Sequence, residues 1–211
     1  MSTRRRGRRA EKARFDPYFA FLLFVGVGLG TWRVELQLRL TVLWLALLAL
    51  AMIYAEERPL EANYSLLNLG GGALVGLIVS APLVFLAREF LNTTSALLYG
   101  TSDILLLFQR LVLLAAPIEE LYFRGFVQRE RGLVSGALLY GLASAVYFLP
   151  GHLDFWSVIA VVSLGTGLLG FVYGYICQRY GLSASIACHM VANLVLLVIP
   201  SLLDQIAVML A

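Results

Sequence analysis

Six stretches of this chain contain no Asp, Glu, Lys or Arg: residues 17–32, 40–55, 62–87, 132–153, 155–178 and 180–203. A helix needs about 17–25 mostly apolar residues to cross a bilayer, and these runs lie near or above that length, the first two only just. A seventh stretch, about residues 104–128, is apolar but interrupted by charge. None of the runs alternates in the way that strands of a membrane barrel do, and hydrophobicity on all sides of a helix fits lipid rather than water. Composition closes the soluble alternative. The 211 residues are 60% apolar and 14% charged, against about 25% charged in ordinary soluble domains. The sequence therefore predicts an all-α, polytopic membrane helix bundle of about seven transmembrane helices, with eight as the variant count.

Charge is unevenly placed. Residues 1–14 hold six arginines and Lys12 against Glu11. This basic tail accounts for the basic balance of the whole chain, so it speaks for membrane topology and not for nucleic-acid binding. A basic start before an apolar run also occurs in signal peptides, but Thr31-Trp32-Arg33 offers no small-x-small cleavage pattern, and the first segment reads as a retained helix. The domain plan is a cytoplasmic tail over residues 1–16 and one transmembrane domain over 17–211. Positive-inside placement then sets Arg124, Arg129, Arg131 and Arg179 inside. It sets the loops at 92–103 and 150–154 outside. The acidic loop at 56–61 also falls inside, against its charge. The two cysteines, Cys177 and Cys188, lie in apolar runs and carry no assigned role.

The charged stretch is the informative one. It reads Ala116-Pro117-Ile118-Glu119-Glu120-Leu121-Tyr122-Phe123-Arg124. An ionised group at bilayer depth costs about 2.5–3.5 kcal/mol on insertion scales, so a chain does not need two adjacent carboxylates merely to cross. Glu120 and Arg124 are four residues apart and share a helix face, which suits a supporting ion pair. Glu119 is turned about 100° away and is the carboxylate left for general-base work.

The chain has two histidines, His152 and His189. His152 ends the run Phe148-Leu149-Pro150-Gly151-His152, where Pro and Gly loosen a helix. His189 and Asn193 lie four apart on one helix face. If hairpins turn near residues 131–133 and at Gly181, Glu119 and His152 lie about 20 and 28 Å from the first turn, and His189 and Asn193 about 12 and 18 Å from the second. These depths overlap without coinciding, so one site requires helix tilt, a kink at Pro117 and a loosened Pro150-Gly151 to bring them together. A carboxylate, two imidazoles and a primary amide suit attack of water on a carbonyl. Glu119 takes the proton, His152 orients the water, and His189 with Asn193 stabilises the oxyanion. The same set admits a second arrangement, zinc held by Glu119, His152 and His189.

Glu119-Glu120-x-x-x-Arg124, Phe148-x-x-x-His152 and His189-x-x-x-Asn193, in this order, resemble the three signature motifs of the CAAX protease and bacteriocin-processing (CPBP) family, over about residues 70–205. The resemblance implies an intramembrane endopeptidase acting on a membrane-associated protein or peptide. It implies a water-activating role for Glu119 with His152, an oxyanion-stabilising role for His189 and Asn193, and a supporting role for Glu120 and Arg124. A mechanism without a cofactor is the preferred version, because the Asn193 amide is a poor zinc ligand and a good oxyanion donor. The resemblance places the chain in a bacterial or archaeal cytoplasmic membrane, with its N-terminus cytoplasmic. Two other functions fit the same composition: a non-catalytic membrane immunity or scaffold protein, and a proton-coupled transporter in which Glu119 and the histidines relay protons.

Overall fold

A computed structural model describes residues 16–59 and 65–210. The basic tail at 1–15 and the last two residues of the acidic loop at 56–61 lie outside these residues. Every described element is helical, and the chain is an integral membrane protein. Six continuous helical stretches are present among the described residues, and Gly132 folds the fourth back on itself. We number the resulting rods α1 (Pro17–Gly30), α2 (Leu36–Glu57), α3 (Leu66–Tyr99), α4 (residues 104–131), α5 (residues 133–148), α6 (Trp156–Tyr180) and α7 (residues 182–210).

Four spans are long and apolar enough to cross a membrane: Leu36–Glu56, Leu66–Tyr99, Leu153–Tyr180 and Leu182–Ile206. Pro17–Gly30 is apolar but has only 14 residues. Length and hydropathy thus establish four of the seven expected crossings.

Local chemistry explains where the rods begin and turn. Asp16 caps α1 by accepting from the Tyr18 and Phe19 amides at 2.8 and 3.2 Å, with Pro17 in the first turn where its missing N–H costs nothing. Glu35 caps α2 in the same way. The Gln37 and Leu38 amides hold its carboxyl below the usual carboxylate range. Gly132 and Gly181 have φ of 85° and 92°, a region that disfavours side chains, and each sits at a hairpin turn. The two turns fall at the positions from which the sequence argument measured depth.

One loop boundary differs from the sequence reading. Residues 92–103 read as an outside loop between membrane segments, yet α3 remains helical to Tyr99. The backbone departs from helical angles at Ala87 (φ −138°, ψ 29°), five residues after Pro82, and then resumes. The polar residues beyond that break turn inward. Thr94 and Ser95 are buried, and Asn92 bonds Asp204 and accepts from Ser201.

The contacts sort the rod ends into two ends of the bundle. At one, which we call the Arg131 end, Arg131 pairs with Asp16 and lies over Tyr18, Glu130 pairs with Arg58 and accepts from Tyr54, and Asn68 donates to the Tyr180 carbonyl. At the other, the Tyr99 end, Gln37 donates to the Tyr99 carbonyl, Gln205 to Ser102, and Arg88 pairs with Asp204. Buried Arg39 donates to the carbonyls of Gly28 and Val146, at 3.2 and 2.5 Å, and of Tyr147, covering acceptors left where α1 and α5 end. The sequence reading gave Arg39 no role.

The tightest helix contact is α3 against α7. Side chains built on Gly72 and Gly76 would lie 2.1 and 2.4 Å from the Ala184 and Cys188 carbonyl oxygens. Lipid offers no hydrophobic drive for two helices to associate, so close backbone packing over small residues supplies it. Gly76→Ala is expected to cost about 1–3 kcal/mol and to lower the thermal midpoint in detergent. Gly70→Ala, where a Cβ meets nothing within 4 Å, is expected to leave it unchanged.

Candidate active site

Glu119 and Glu120 end a short α-helical segment, Ala116–Glu120, set between π-helical turns at Phe108–Ala115 and Leu121–Gln128. Pro117 has no N–H to give to the preceding turn, and the backbone widens there. The Ala116 amide reaches back five residues to the Leu111 carbonyl. Asn193 Nδ2 donates to the same oxygen at 2.9 Å. The kink foreseen at Pro117 is therefore a widened stretch of helix braced from α7.

Glu120 is fully buried and completely engaged. Its Oε1 lies 3.1 Å from Arg124 Nη1 and 3.0 Å from His189 Nδ1, and its Oε2 accepts from the Ser185 hydroxyl. Arg124, itself buried, donates to the Gly170 carbonyl at 3.0 Å and lies against the rings of Tyr140 and Tyr173, 4.5 and 5.4 Å from their centroids. The positive-inside argument set Arg124 at the cytoplasmic interface. The structure sets it inside the bundle, because its charge is matched by Glu120 there.

His189 is clamped between these groups. It stacks on Tyr173 at 4.6 Å, and its Nε2 lies 3.0 Å from the Tyr140 hydroxyl and 3.8 Å from Glu119 Oε2. A carboxylate only accepts, so the bond to Glu120 places a proton on Nδ1. In the neutral ring Nε2 is then the acceptor for Tyr140.

Glu119 is held differently. Trp44 Nε1 donates to its Oε1 at 3.2 Å, and its Oε2 faces His189. It lines a cavity of about 520 Å³ together with Trp44, Tyr140, Tyr147 and Asn193. The apolar walls of this cavity come chiefly from α3 and α6. The buried Tyr147 hydroxyl faces Glu119 on this wall.

The structure thus gathers Glu119, Glu120, Arg124 and His189, with Asn193 one turn beyond His189 on the cavity wall. It does not bring His152 into that cluster. His152 follows the short 3-10 turn Leu149–Gly151, is half-buried, and has its Nδ1 3.2 Å from the Phe148 carbonyl. Phe148 lines the cavity, whereas His152 is one turn further toward the Tyr99 end. The zinc arrangement does not fit these positions. Both nitrogens of His189 are engaged by Glu120 and Tyr140, and among the described residues no three His, Cys, Asp or Glu side chains converge as ligands.

Trp44, Tyr140, Tyr147, Tyr173 and Ser185 were missed by sequence reasoning. Ser185 carried a usable signal: Ser185, His189 and Asn193 recur every four residues along one face of α7. The aromatic residues carried none, since they look like any others in an apolar helix.

Residues 101–195 match the family model described as type II CAAX prenyl endopeptidase, Rce1-like. Neither the curated proteins nor the solved structures gave a match. The matched segment runs from the start of α4 into α7 and contains Glu119, Glu120, Arg124, His152, His189 and Asn193. The similarity to the Rce1-like CAAX prenyl endopeptidase model thus covers residues 101–195, somewhat less than half of the chain.

Proposed function

We propose that the protein is an intramembrane endopeptidase that hydrolyses a peptide bond of a membrane-associated protein or peptide, with Glu119 as its general base. One observation carries this reading. Of two adjacent buried carboxylates, Glu120 is consumed by Arg124, His189 and Ser185, while Glu119 faces a cavity large enough for a peptide segment. Water attacks the carbonyl carbon and Glu119 takes its proton. The oxyanion is stabilised by the Asn193 amide and by His189, which Glu120 holds in place. The C–N bond then breaks, and the proton on Glu119 passes to the leaving amine. The water-orienting role of His152 is part of the same proposal, although the side chain lies one turn beyond Phe148, outside the cavity lining.

Orientation follows from charge. Among the described residues four arginines lie at each end, Arg58, Arg129, Arg131 and Arg179 at one and Arg33, Arg39, Arg88 and Arg110 at the other. The argument therefore rests on the seven basic residues in positions 1–14 of the sequence, which precede Asp16 at the Arg131 end. Basic residues mark the cytoplasmic side, so the Arg131 end lies in the cytoplasm and the seven rods make seven passes.

Comparison of membrane-protein termini between cells with wild-type protein and cells with Glu119→Gln will identify substrates. With a substrate so found, Glu119→Gln is expected to lower kcat by about 10²–10⁴-fold with an unchanged thermal midpoint. Wild-type cleavage by purified Glu119→Gln would exclude the mechanism, and retained biological activity without cleavage would select a scaffold role. Glu120→Ala leaves Arg124 buried and unpaired, and is expected to cost about 3–5 kcal/mol, read as loss of folded protein. His152→Ala is expected to lower kcat more than it changes KM while the protein stays folded; a full rate in this variant would remove His152 from the chemistry.

A further inference from the structure

Glu119, His189 and Asn193 come from the second half of the chain, whereas the indole that meets Glu119 comes from α2. This helix turns a regular apolar face inward. Leu40, Leu43, Trp44, Leu47 and Ala51 recur at spacings of three and four, and all are buried. That pattern asks for an apolar side chain at position 44 and does not ask for an indole. Trp44 is 2% exposed, so its N–H needs a partner inside the bundle. The partner is Glu119 Oε1, at 3.2 Å. Two further contacts fix the ring. Trp44 lies edge-on to Tyr147, with 6.3 Å between ring centroids. Arg39, five residues earlier, donates to the Val146 and Tyr147 carbonyls and so holds α2 in register against the end of α5. A slip of one residue in α2 would turn the indole about 100° away from Glu119.

We propose that Trp44 is a positioning residue for Glu119: its N–H holds Oε1 and leaves Oε2 as the oxygen that takes the proton from water. The proposal rests on the endopeptidase reading. Rotation of a glutamate carboxyl about its last side-chain bond is broad and weakly preferred, so the plane of the base must be set by a donor from elsewhere. An indole N–H donates and never accepts. A proton on Oε1 along the same line would meet another hydrogen. Oε2 receives no bond from Trp44 and faces His189 Nε2 at 3.8 Å. The proton therefore leaves the water for Oε2 while the water oxygen bonds the carbonyl carbon. When the C–N bond breaks, the same proton passes from Oε2 to the nitrogen. Trp44 neither gains nor loses a proton. The Tyr147 hydroxyl differs, because a phenol both donates and accepts and can follow the carboxyl group in either state. The indole is thus the group that tells the two oxygens apart.

Two measurements test this. The first needs no substrate. The tryptophans are Trp32, Trp44 and Trp156, so the full chain labelled with nitrogen-15 tryptophan in detergent gives one indole N–H resonance for each, assigned by Trp→Phe variants. The Trp44 resonance is expected to move upfield in Glu119→Gln and further in Glu119→Ala, while the other two stay in place. A Trp44 resonance unmoved in both variants overturns the proposal. The second measurement follows cleavage of a synthetic peptide spanning a bond whose new terminus in cells depends on Glu119. Trp44→Phe removes the donor. So does 3-benzothienylalanine at position 44, which puts sulfur in place of the N–H and keeps the shape of the ring, and serves if Trp44→Phe does not fold. Each is expected to lower kcat about 10–100-fold, the worth of a hydrogen bond to a charged group, with KM unchanged and the protein folded. Trp156→Phe, at a side chain 67% exposed and outside the cavity lining, is expected to keep the wild-type kcat. A wild-type kcat with the sulfur isostere overturns the proposal and leaves the endopeptidase reading standing. A loss carried by KM alone also overturns it, because Trp44 would then only shape the cavity wall. Failure of the endopeptidase reading gives a different result: no terminus depends on Glu119, and the positioning role falls with it whatever the indole resonance shows.

Discussion

Everything near the site depends on keeping one buried charge pair neutral as a unit. A carboxylate and a guanidinium in a membrane interior each lose water, and attraction between them offsets this only when the remaining hydrogen bonds are also made. Glu120 satisfies that condition with partners from two helices, Arg124 on its own rod and His189 with Ser185 on α7. Arg124 in turn reaches α6 through the Gly170 carbonyl. The ion pair therefore pins α4, α6 and α7 to one another at one level. The close approach of α3 to α7 over Gly72 and Gly76 extends the assembly to a fourth helix. Loss of Glu120 disturbs packing and His189 together, which is why a structural role for this residue cannot be separated from the orientation of the imidazole.

Backbone polar groups obey the same constraint. In lipid an unpaired carbonyl has no water to turn to, so irregular backbone survives only inside the protein or along a cavity. The widened turns of α4 sit beside the cavity, and the acceptor at Leu111 is covered by the Asn193 amide. Arg39 does the same for the ends of α1 and α5. The irregularity needed to place a carboxylate against open space is thus confined to the interior of the bundle, where side chains from other helices compensate it.

What could be read from the sequence was what depends on local spacing. The pairing of Glu120 with Arg124, the shared face of His189 and Asn193, and the turns at Gly132 and Gly181 follow from helix geometry and glycine alone. The all-helical class follows from uncharged runs. What could not be read depends on other helices. Nothing local distinguishes Trp44 from an ordinary lipid-facing tryptophan, or Tyr140 from a core tyrosine; their roles arise because α2 and α5 arrive beside α4. The misread stretch after Asn92 has the same cause, since Asn92 itself is satisfied by Asp204 and Ser201 far along the chain. Depth arithmetic already set His152 about 8 Å further than Glu119 from the turn near Gly132, and in the structure it follows the 3-10 turn Leu149–Gly151, beyond the cavity lining.

Adjacency of the two carboxylates is itself informative. Two acids on neighbouring residues of a helix diverge by about 100°, so they sample different surroundings while sharing one depth. One turns toward a cation and an imidazole and is fixed; the other turns toward an indole N–H and open space. A single carboxylate could not both stabilise the bundle and exchange a proton with water, because a group held in an ion pair is a weak base. Splitting the two surroundings between Glu120 and Glu119 leaves the supporting charge pair separate from the acid that faces the cavity. His189 links the two, bonded to Glu120 at Nδ1 and facing Glu119 from Nε2 at 3.8 Å.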